Sequence, residues 1–579
     1  MNICFKLLIF IFTIFQMNYC CASFADDNNL SRIIVDQVGY LPNHSKQGVL
    51  VLSSEGFSKI SFVIKDLAYN KVVFNGETKS SVIDDRDSGD LIVKLDFSSL
   101  NTPGTYYLEV NPQIRSYPFK IEARVYNPLF LETMHGFYFQ RCGTDLEKKY
   151  AEEWTRVACH LNDAIVLDSG KYLKSIGGWH DAGDYGKKIV PGAVTTGILL
   201  KLCELFPSKI NSFKLGIPDE KLPDILTEIK YELDWMFTMQ RQDGGVYHLV
   251  VTKEFPTIGM LPQKDKAIRY IVPVSSASTA DFAAAMAMAY RVYNKYDSKF
   301  ARKCLKSAQK AWEFLEKNKT IVPKGGYRDP HGFVHTGGYE DEDDRDEKFW
   351  AAIELLKTTK EDKYKKHINK VYKNWNPAIV YPFSWKDLRV FAIFEYLTID
   401  DKLINPKIKD IFEKELINYA NQIVNRIDKN GYNVALNSND YYWGSNGVAL
   451  SYSMLLLMAN EVVPNQKYIE AALDQLHYVL GRNSLNLSFV TGFGSVFPKN
   501  PLHYSSLNNS NKNPISGFLV GGPDSKGDDS YIYNQTINNN IPPAKCYLDS
   551  YYSYSTNEIS IYWNALLAFV SGYFLNDIN

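Results

Sequence analysis

The apolar pattern changes its period near Tyr126, and that change limits what the chain can fold into. Ahead of it lie short β-branched and aromatic runs separated by turn residues. They include Ile33-Ile34-Val35, Gly48-Val49-Leu50-Val51-Leu52, Ile60-Ser61-Phe62-Val63-Ile64 and Gly104-Thr105-Tyr106-Tyr107-Leu108-Glu109-Val110. About seven such runs in roughly 90 residues predict a β-sandwich over 31–122. Beyond Tyr126 the apolar residues recur at helical spacing over 281–296, 346–358, 410–427, 446–461, 466–480 and 558–574. Ser278 lies where a cap for the first of these belongs, and Cys203, inside Leu199-Leu200-Lys201-Leu202-Cys203-Glu204-Leu205, reads as a buried helical residue. Long loops rich in Gly, Pro, Asn and Asp join the helices, which fits an all-α barrel or toroid over 126–579. A chain of 579 residues exceeds one ordinary domain. No flexible linker separates the two regions, so they are expected to pack together.

The N-terminus has the order of a secretory signal peptide over 1–25. Lys6 precedes an apolar run, 7–15, then a small and polar stretch, and Asp26 and Asp27 follow. The run is too short to span a bilayer, and no later segment is long and apolar enough to do so. The expected protein is secreted, extracellular or periplasmic, free of membrane after cleavage, and a monomer. A net charge of −1 gives no case for nucleic acid as a partner. Five cysteines lie beyond the signal, and an odd number over this length is no disulfide framework.

The chemistry concentrates in Gly177-Gly178-Trp179-His180-Asp181-Ala182-Gly183-Asp184-Tyr185. Two carboxylates lie three residues apart on a glycine-rich backbone that can approach a ligand closely. A candidate partner acid, Glu558, follows far downstream in Tyr554-Ser555-Thr556-Asn557-Glu558-Ile559. Glycoside hydrolysis commonly uses such a pair, and the inverting form leaves room for a water beside the base. Asp184 reads as that base and Asp181 as its helper in holding the water. Glu558, read as opening the helix that follows it, reads as a general acid kept protonated by apolar surroundings. The competing reading has the aspartates binding turn amides and Glu558 favoured by a helix dipole.

Cys142, Cys159, His160 and His180 make a closed tetrahedral zinc set of the structural kind. A Cys142–Cys159 disulfide competes with it in a secreted protein. The run Glu340-Asp341-Glu342-Asp343-Asp344-Arg345-Asp346-Glu347 suits either a solvated loop or calcium. Trp179, Tyr441, Tyr442, Trp443, Trp385 and Tyr554 stand in Gly/Asn/Ser-rich loops, and several are expected to line a sugar groove, as flat rings with polar edges do. His135 reads as structural.

Taken in order, Gly178-Trp179-His180-Asp181-Ala182-Gly183-Asp184, Pro273-Val274-Ser275-Ser276-Ala277-Ser278-Thr279-Ala280-Asp281-Phe282, Asp346-Glu347-Lys348-Phe349-Trp350, Tyr442-Trp443-Gly444-Ser445-Asn446, Gly481-Arg482-Asn483 and Tyr554-Ser555-Thr556-Asn557-Glu558 resemble glycoside hydrolase family 9, the family of many cellulases. The resemblance implies an (α/α)6 barrel behind an N-terminal immunoglobulin-like domain, and inverting hydrolysis of β-1,4-glucosidic bonds. It implies Asp184 as base, Asp181 as its partner and Glu558 as acid. It also implies structural zinc on the Cys/His set, and structural calcium on Asp346 and Glu347, with Asp343 and Asp387 weaker ligands.

One stretch departs from the family. The run Asn500-Pro501-Leu502-His503-Tyr504-Ser505 has Leu502 in place of a histidine and Tyr504 in place of an arginine that grips the sugar. His503 reaches that role only through a short shift. Trp179, His503, Tyr442, Trp443 and Tyr554 are the expected substrate contacts. The resemblance implies a β-glucan polysaccharide or oligosaccharide as ligand and a cellulase-type endoglucanase as the enzyme. The alternatives are an exo-acting β-glucosidase or β-glucosaminidase, an inactive carbohydrate-binding protein, and a zinc-dependent hydrolase.

Overall fold

The structure, a computed structural model, describes residues 32–53, 59–78, 81–218, 221–333, 337–375, 378–379, 381–507 and 513–576. The signal segment lies outside them. Among the described residues no helix is long and apolar enough to cross a membrane.

The N-terminal domain is two facing sheets. One orders Arg32–Ile34, Gln47–Leu52, Asp90–Asp96 and Ile83–Asp85. The other orders Gly39–Tyr40, Phe119–Ile121, Gly104–Asn111, Ser61–Asp66 and Val72–Glu77, with Ile114–Arg115 beside the third strand. All pairs are antiparallel except Gly39–Tyr40 with Phe119–Ile121. Alternation along a strand sends Leu50 and Leu52 into the core between the sheets, with Phe62, Ile64, Leu95 and Phe119. Val49 and Val51 point the other way and pack on Tyr432 of the helical domain. The run 48–52 is therefore apolar on both faces because both are covered. Tyr432 donates to Asp90 at 2.6 Å, and His477 meets the buried Asp36 at 2.8 Å. The two domains thus share a packed, hydrogen-bonded interface.

Among the described residues twelve long helices build the second domain: α1 Asn127–Gln140, α2 Ile189–Leu205, α3 Asp224–Thr238, α4 Ser276–Tyr293, α5 Ser298–Lys317, α6 Arg345–Thr359, α7 Asp362–Asn374, α8 Arg389–Leu397, α9 Pro406–Ile427, α10 Ser445–Val462, α11 Gln466–Val479 and α12 Ile561–Tyr573. The even-numbered helices pack in sequence, α2 on α4, α6, α8, α10 and α12, and α12 returns to α2. They are buried nearly all round, as helices of an inner layer must be. The odd-numbered helices flank them. In α7 only Tyr364 and Ile368 are buried, which leaves its lysines to solvent.

Two local readings change. The cap of α4 is Ser275, whose hydroxyl accepts from the Ser278 N–H at 3.0 Å; the Ser278 hydroxyl instead meets His248. The helix expected from Glu558 begins at Ile561, capped by Ser560. Glu558 itself is extended, one residue past the short helix Tyr554–Asn557. Its backbone pairs with Leu502, and its carbonyl accepts from Gly521 N–H at 3.0 Å. Backbone pairing, not a helix dipole, therefore fixes its direction.

Candidate active site

Two chain segments more than 370 residues apart meet edge to edge. Ala182 bridges Ser560, and Ile561 N–H donates to the Asp181 carbonyl at 2.9 Å. Gly183 admits a third segment to the same place, because a Cβ there would lie 1.9 Å from the Leu502 carbonyl oxygen. Gln140 holds the same turn from behind, its amide donating to the carbonyls of His180 (3.2 Å) and Ala182 (2.8 Å). Asp181, Asp184 and Glu558 thereby share one site.

Their surroundings separate their roles. Asp181 is 1% exposed, and its oxygens are taken up by two donors: Lys188 Nζ at 3.0 Å from Oδ2, and the Tyr339 hydroxyl at 3.1 Å from Oδ2 and 3.3 Å from Oδ1. Burial raises the Asp181 carboxyl above its usual range, and Lys188 pulls it back. Asp184 is buried too, at 8% exposed. Its Oδ1 accepts the Gly186 N–H at 2.7 Å, and among the described residues none bonds Oδ2. Glu558 keeps part of its surface in solvent, yet burial of its carboxyl, followed by the charge of Asp184, holds it well above the ordinary range.

Lys188 and Tyr339 were not legible as site residues. Lys188 sits in Lys187–Lys188, a short strand paired with Leu249–Val251 at the entry to α2. Burial disfavours its ammonium, but Asp181, Asp184 and Glu558 outweigh that and hold it above the usual lysine range. Its one visible signal was a lysine opening an apolar helix. Tyr339 adopts φ 55, a left-handed conformation uncommon for a bulky residue. The preceding carbonyl, of Gly338, accepts from His248 Nε2 at 2.8 Å, while His248 Nδ1 accepts from Ser275 (2.8 Å) and Ser278 (2.7 Å). Burial pushes His248 down to about 4, so the ring is neutral and this one tautomer satisfies every partner.

Two expected substrate contacts are corrected. Trp179 is 1% exposed and packs on Phe137; its indole N–H donates to Glu228 at 2.8 Å and its backbone N–H to Glu232 at 2.6 Å. A ring this enclosed offers no face to a sugar. His503 is also buried, between Ser506 (2.9 Å) and Gln140 (3.1 Å), and burial pushes it to about 3. Both its nitrogens are occupied, so it anchors the loop. Tyr441 joins the core as well. Trp443 and Tyr554 remain exposed, with ring centroids 5.1 Å apart, and Tyr554 lies one turn before Glu558. Tyr442 and Trp385 are half-buried, and Trp385 meets Tyr339 edge-on at 4.8 Å.

The ligating atoms of Cys142, Cys159, His160 and His180 all lie within 4.8 Å of one another. Both thiols are free of disulfides. The hydrogen bond the two cysteines share holds the Cys142 thiol well below its usual range and the Cys159 thiol well above it, so one of the pair is a thiolate before any metal binds, and burial pushes His180 to about 3. A thiolate and a neutral imidazole are the ligand forms zinc requires. His160 Nε2 meets Asp265 at 3.2 Å, which leaves Nδ1 for the metal. The set fits zinc and is closed, with no position for a reacting water. His180 adjoins Asp181, and Cys142 N–H donates to Gly178 at 2.7 Å, so the cluster ties down the carboxylate-bearing turn.

A second set gathers at the start of α6. Both oxygens of Asp281, Asp341 Oδ2 and Glu347 Oε2 are buried without a partner, and Asp346 Oδ2 accepts Leu388 N–H at 2.8 Å. Burial pushes Asp346 to about 7 and Glu347 well above its usual range. Orphaned, oxygen-only, buried carboxylates fit a hard cation such as calcium. Asp343 and Asp387 are instead forked by Arg345 and Arg389.

The family model for glycosyl hydrolase family 9 matches residues 126–571, and that for the cellulase N-terminal Ig-like domain matches residues 28–113. Endoglucanase D of Acetivibrio thermocellus is 36% identical over 554 residues, covering 94% of this chain and 84% of its own. A cellodextrinase of Butyrivibrio fibrisolvens is 32% identical over 561 residues, covering 93% and 99%. The crystal structure of a zinc-binding triple mutant of a family 9 endoglucanase, 32% identical, matches with a TM-score of 0.86 over 93% of this chain and 100% of that one.

Proposed function

The chain belongs to glycosyl hydrolase family 9, and from that premise we propose that it is a secreted enzyme that hydrolyses β-1,4-glucosidic bonds with inversion. The observation that carries the assignment of roles is the contrast between two neighbouring aspartates. Asp181 is committed to Lys188 and Tyr339, whereas Asp184 keeps one oxygen for a water. Asp184 takes the proton of that water as it attacks the anomeric carbon. Glu558, protonated beforehand, gives its proton to the leaving glycosidic oxygen. Asp181 orients the turn that carries the base. Trp443 and Tyr554 stack on the sugar beside the cleaved bond.

The succession of even-numbered helices, returning from α12 to α2, supports an (α/α)6 barrel with the site at one end. Cys142, Cys159, His160 and His180 would hold a structural zinc, whose bound form cross-links the turn of Asp181 to the loops behind it. Asp346 and Glu347, with Asp281 and Asp341, would hold a structural calcium. The names of the relatives support a β-glucan substrate.

The test is product analysis on a panel of β-glucans and chitosan oligomers, with the anomer read by proton NMR. The α-anomer must form first from a β-1,4-glucan. An initial β-anomer, or cleavage of chitosan oligomers alone, refutes the reading.

A further inference from the structure

Two neighbouring helices on the outside of the helical domain carry an unbalanced run of cations. The chain as a whole has a net charge of −1, yet α5 holds six lysines and arginines against two glutamates, and α7 five lysines against one aspartate. The helices touch. Trp312 of α5 meets Tyr364 and His367 of α7 at ring-centroid distances of 5.5 and 4.7 Å, and Gln309 donates to Glu361 at 3.1 Å. Lys299, Arg302, Lys306 and Lys310 follow one another at steps of three or four residues, so they share one face of α5 over ~16 Å. Lys370 and Lys373 stand three residues apart on α7. All six are exposed except Lys310, which is half-buried.

Among the described residues the ion pairs made by these two helices are Lys363 with Glu361 and Lys366 with Asp362, and the six cations named above enter none. A solvated helix ordinarily alternates the sign of its charges. Here Arg302 with Lys306, and Lys306 with Lys310, are like charges four residues apart, which repel. Lys299 and Arg302 also lie toward the N-terminal end of α5, where the helix dipole disfavours cations. Burial, then the charges of Lys348 and Lys370, push His367 down to about 4, so the positive field reaches the contact between the helices. A face that weakens its own helix and meets no carboxylate of the described chain points to an anion outside it.

The chemistry of the face narrows the partner. Among the described residues the exposed large apolar and aromatic side chains skip from Ile268 to Tyr381, so neither helix offers a wedge for a bilayer or a ring for stacked bases. Lysine is a hydrated point charge on a flexible stem, which suits carboxylates spaced along a wet polymer and needs no forked geometry. We propose that this face of α5 and α7 docks a linear acidic polysaccharide, a chain of uronate sugars, and holds the enzyme against it independently of the glucan cleft. The contact is electrostatic and takes no part in bond cleavage.

The test compares two charge-reversed triple variants of the zinc-loaded full chain. Lys306→Glu, Lys310→Glu and Lys370→Glu alter the face. Lys407→Glu, Lys414→Glu and Lys467→Glu make the same change in net charge at exposed positions of α9 and α11. Affinity electrophoresis in gels containing polygalacturonate reads binding. The first triple should bind at least about tenfold more weakly than wild type, and the second should stay within about twofold. Wild-type binding should itself fall at least about tenfold between about 50 and about 200 mM salt. Melting temperature and turnover of hydroxyethyl cellulose should hold in both triples, since the changes lie at the surface. Equal weakening in both triples, salt-insensitive binding, or a wild type that polygalacturonate does not retard overturns the proposal. So does duplex DNA or a phosphatidylglycerol vesicle that displaces polygalacturonate at a lower concentration of charge, which would assign the face to phosphates instead.

Discussion

Lys188→Met tests the organisation of the site most directly. The side chains of Lys188 and Asp181 are 4% and 1% exposed, with Nζ 3.0 Å from Oδ2. At an effective dielectric of about 20, two unit charges at 3.0 Å attract by about 5.5 kcal/mol before desolvation is counted. Methionine keeps the length and apolar stem of lysine and removes the ammonium. Asp181 is then a buried carboxylate with Tyr339 as its remaining donor, and losing one partner of a buried pair costs about 3–5 kcal/mol. Removing both charges, as Lys188→Met with Asp181→Asn, avoids most of that cost. Thermal melting at saturating zinc should therefore place both single variants below wild type and the double variant above Lys188→Met alone. A double-mutant coupling of at least about 2 kcal/mol is expected. In the same preparations Lys188→Met should lose at least about tenfold in kcat with little change in KM, because Asp181, three residues from Asp184, loses the cation that fixes its carboxylate. A single variant as stable as wild type, or effects in the double variant that merely add, would refute the coupling.

The other predictions concern the proposed acid and the two candidate cation sites. Glu558→Gln should lower kcat by about 10²–10⁴-fold while glucan binding persists; near-normal turnover would remove Glu558 from the acid role. Burial and Asp184 raise the folded pKa of Glu558, so the active protonated form is present below that value and lost as pH rises through it. The same sign makes its contribution to stability fall with rising pH. The alkaline limb of the pH–rate profile should accordingly lie well above the ordinary glutamic acid range, and a limb inside that range contradicts the assignment. Stripping zinc with 1,10-phenanthroline should lower melting temperature and activity together; activity lost at unchanged melting would indicate catalytic zinc instead. Added calcium should raise the melting temperature, by the equivalent of about 2.7 kcal/mol at a hundredfold excess over Kd. Glu347→Ala should abolish that rise, and an equal rise in the variant would place the ion elsewhere.

Much of this site is readable along the chain because its backbone is local. Asp181, Asp184 and the Gly183 between them occupy one turn, and the turn's chemistry is set by residue types at fixed spacing. The Cys/His set needed the resemblance to choose between zinc and a disulfide, since its four members lie on three separate loops. Trp179 shows where local reading fails. A tryptophan among glycines reads as a platform, but Glu228 and Glu232, on α3, arrive from about 50 residues away and enclose it. His503 fails likewise, because Gln140 reaches it across 363 positions. The start of α12 was misplaced by three residues because apolar content continues through the extended stretch 558–560, where strand pairing with Leu502 and Val520 wins over helix propensity.

Sequence alone therefore gave the family, and pointed to a β-rich region ahead of a helical one and to three carboxylates as candidates, because periodicity and short motifs are local properties of the chain. Tertiary structure alone showed what holds Asp181, because Lys188 and Tyr339 reach it from a different strand and a different loop. The energy of a buried charge depends on every group within a few ångströms of it, and a linear pattern does not encode that neighbourhood.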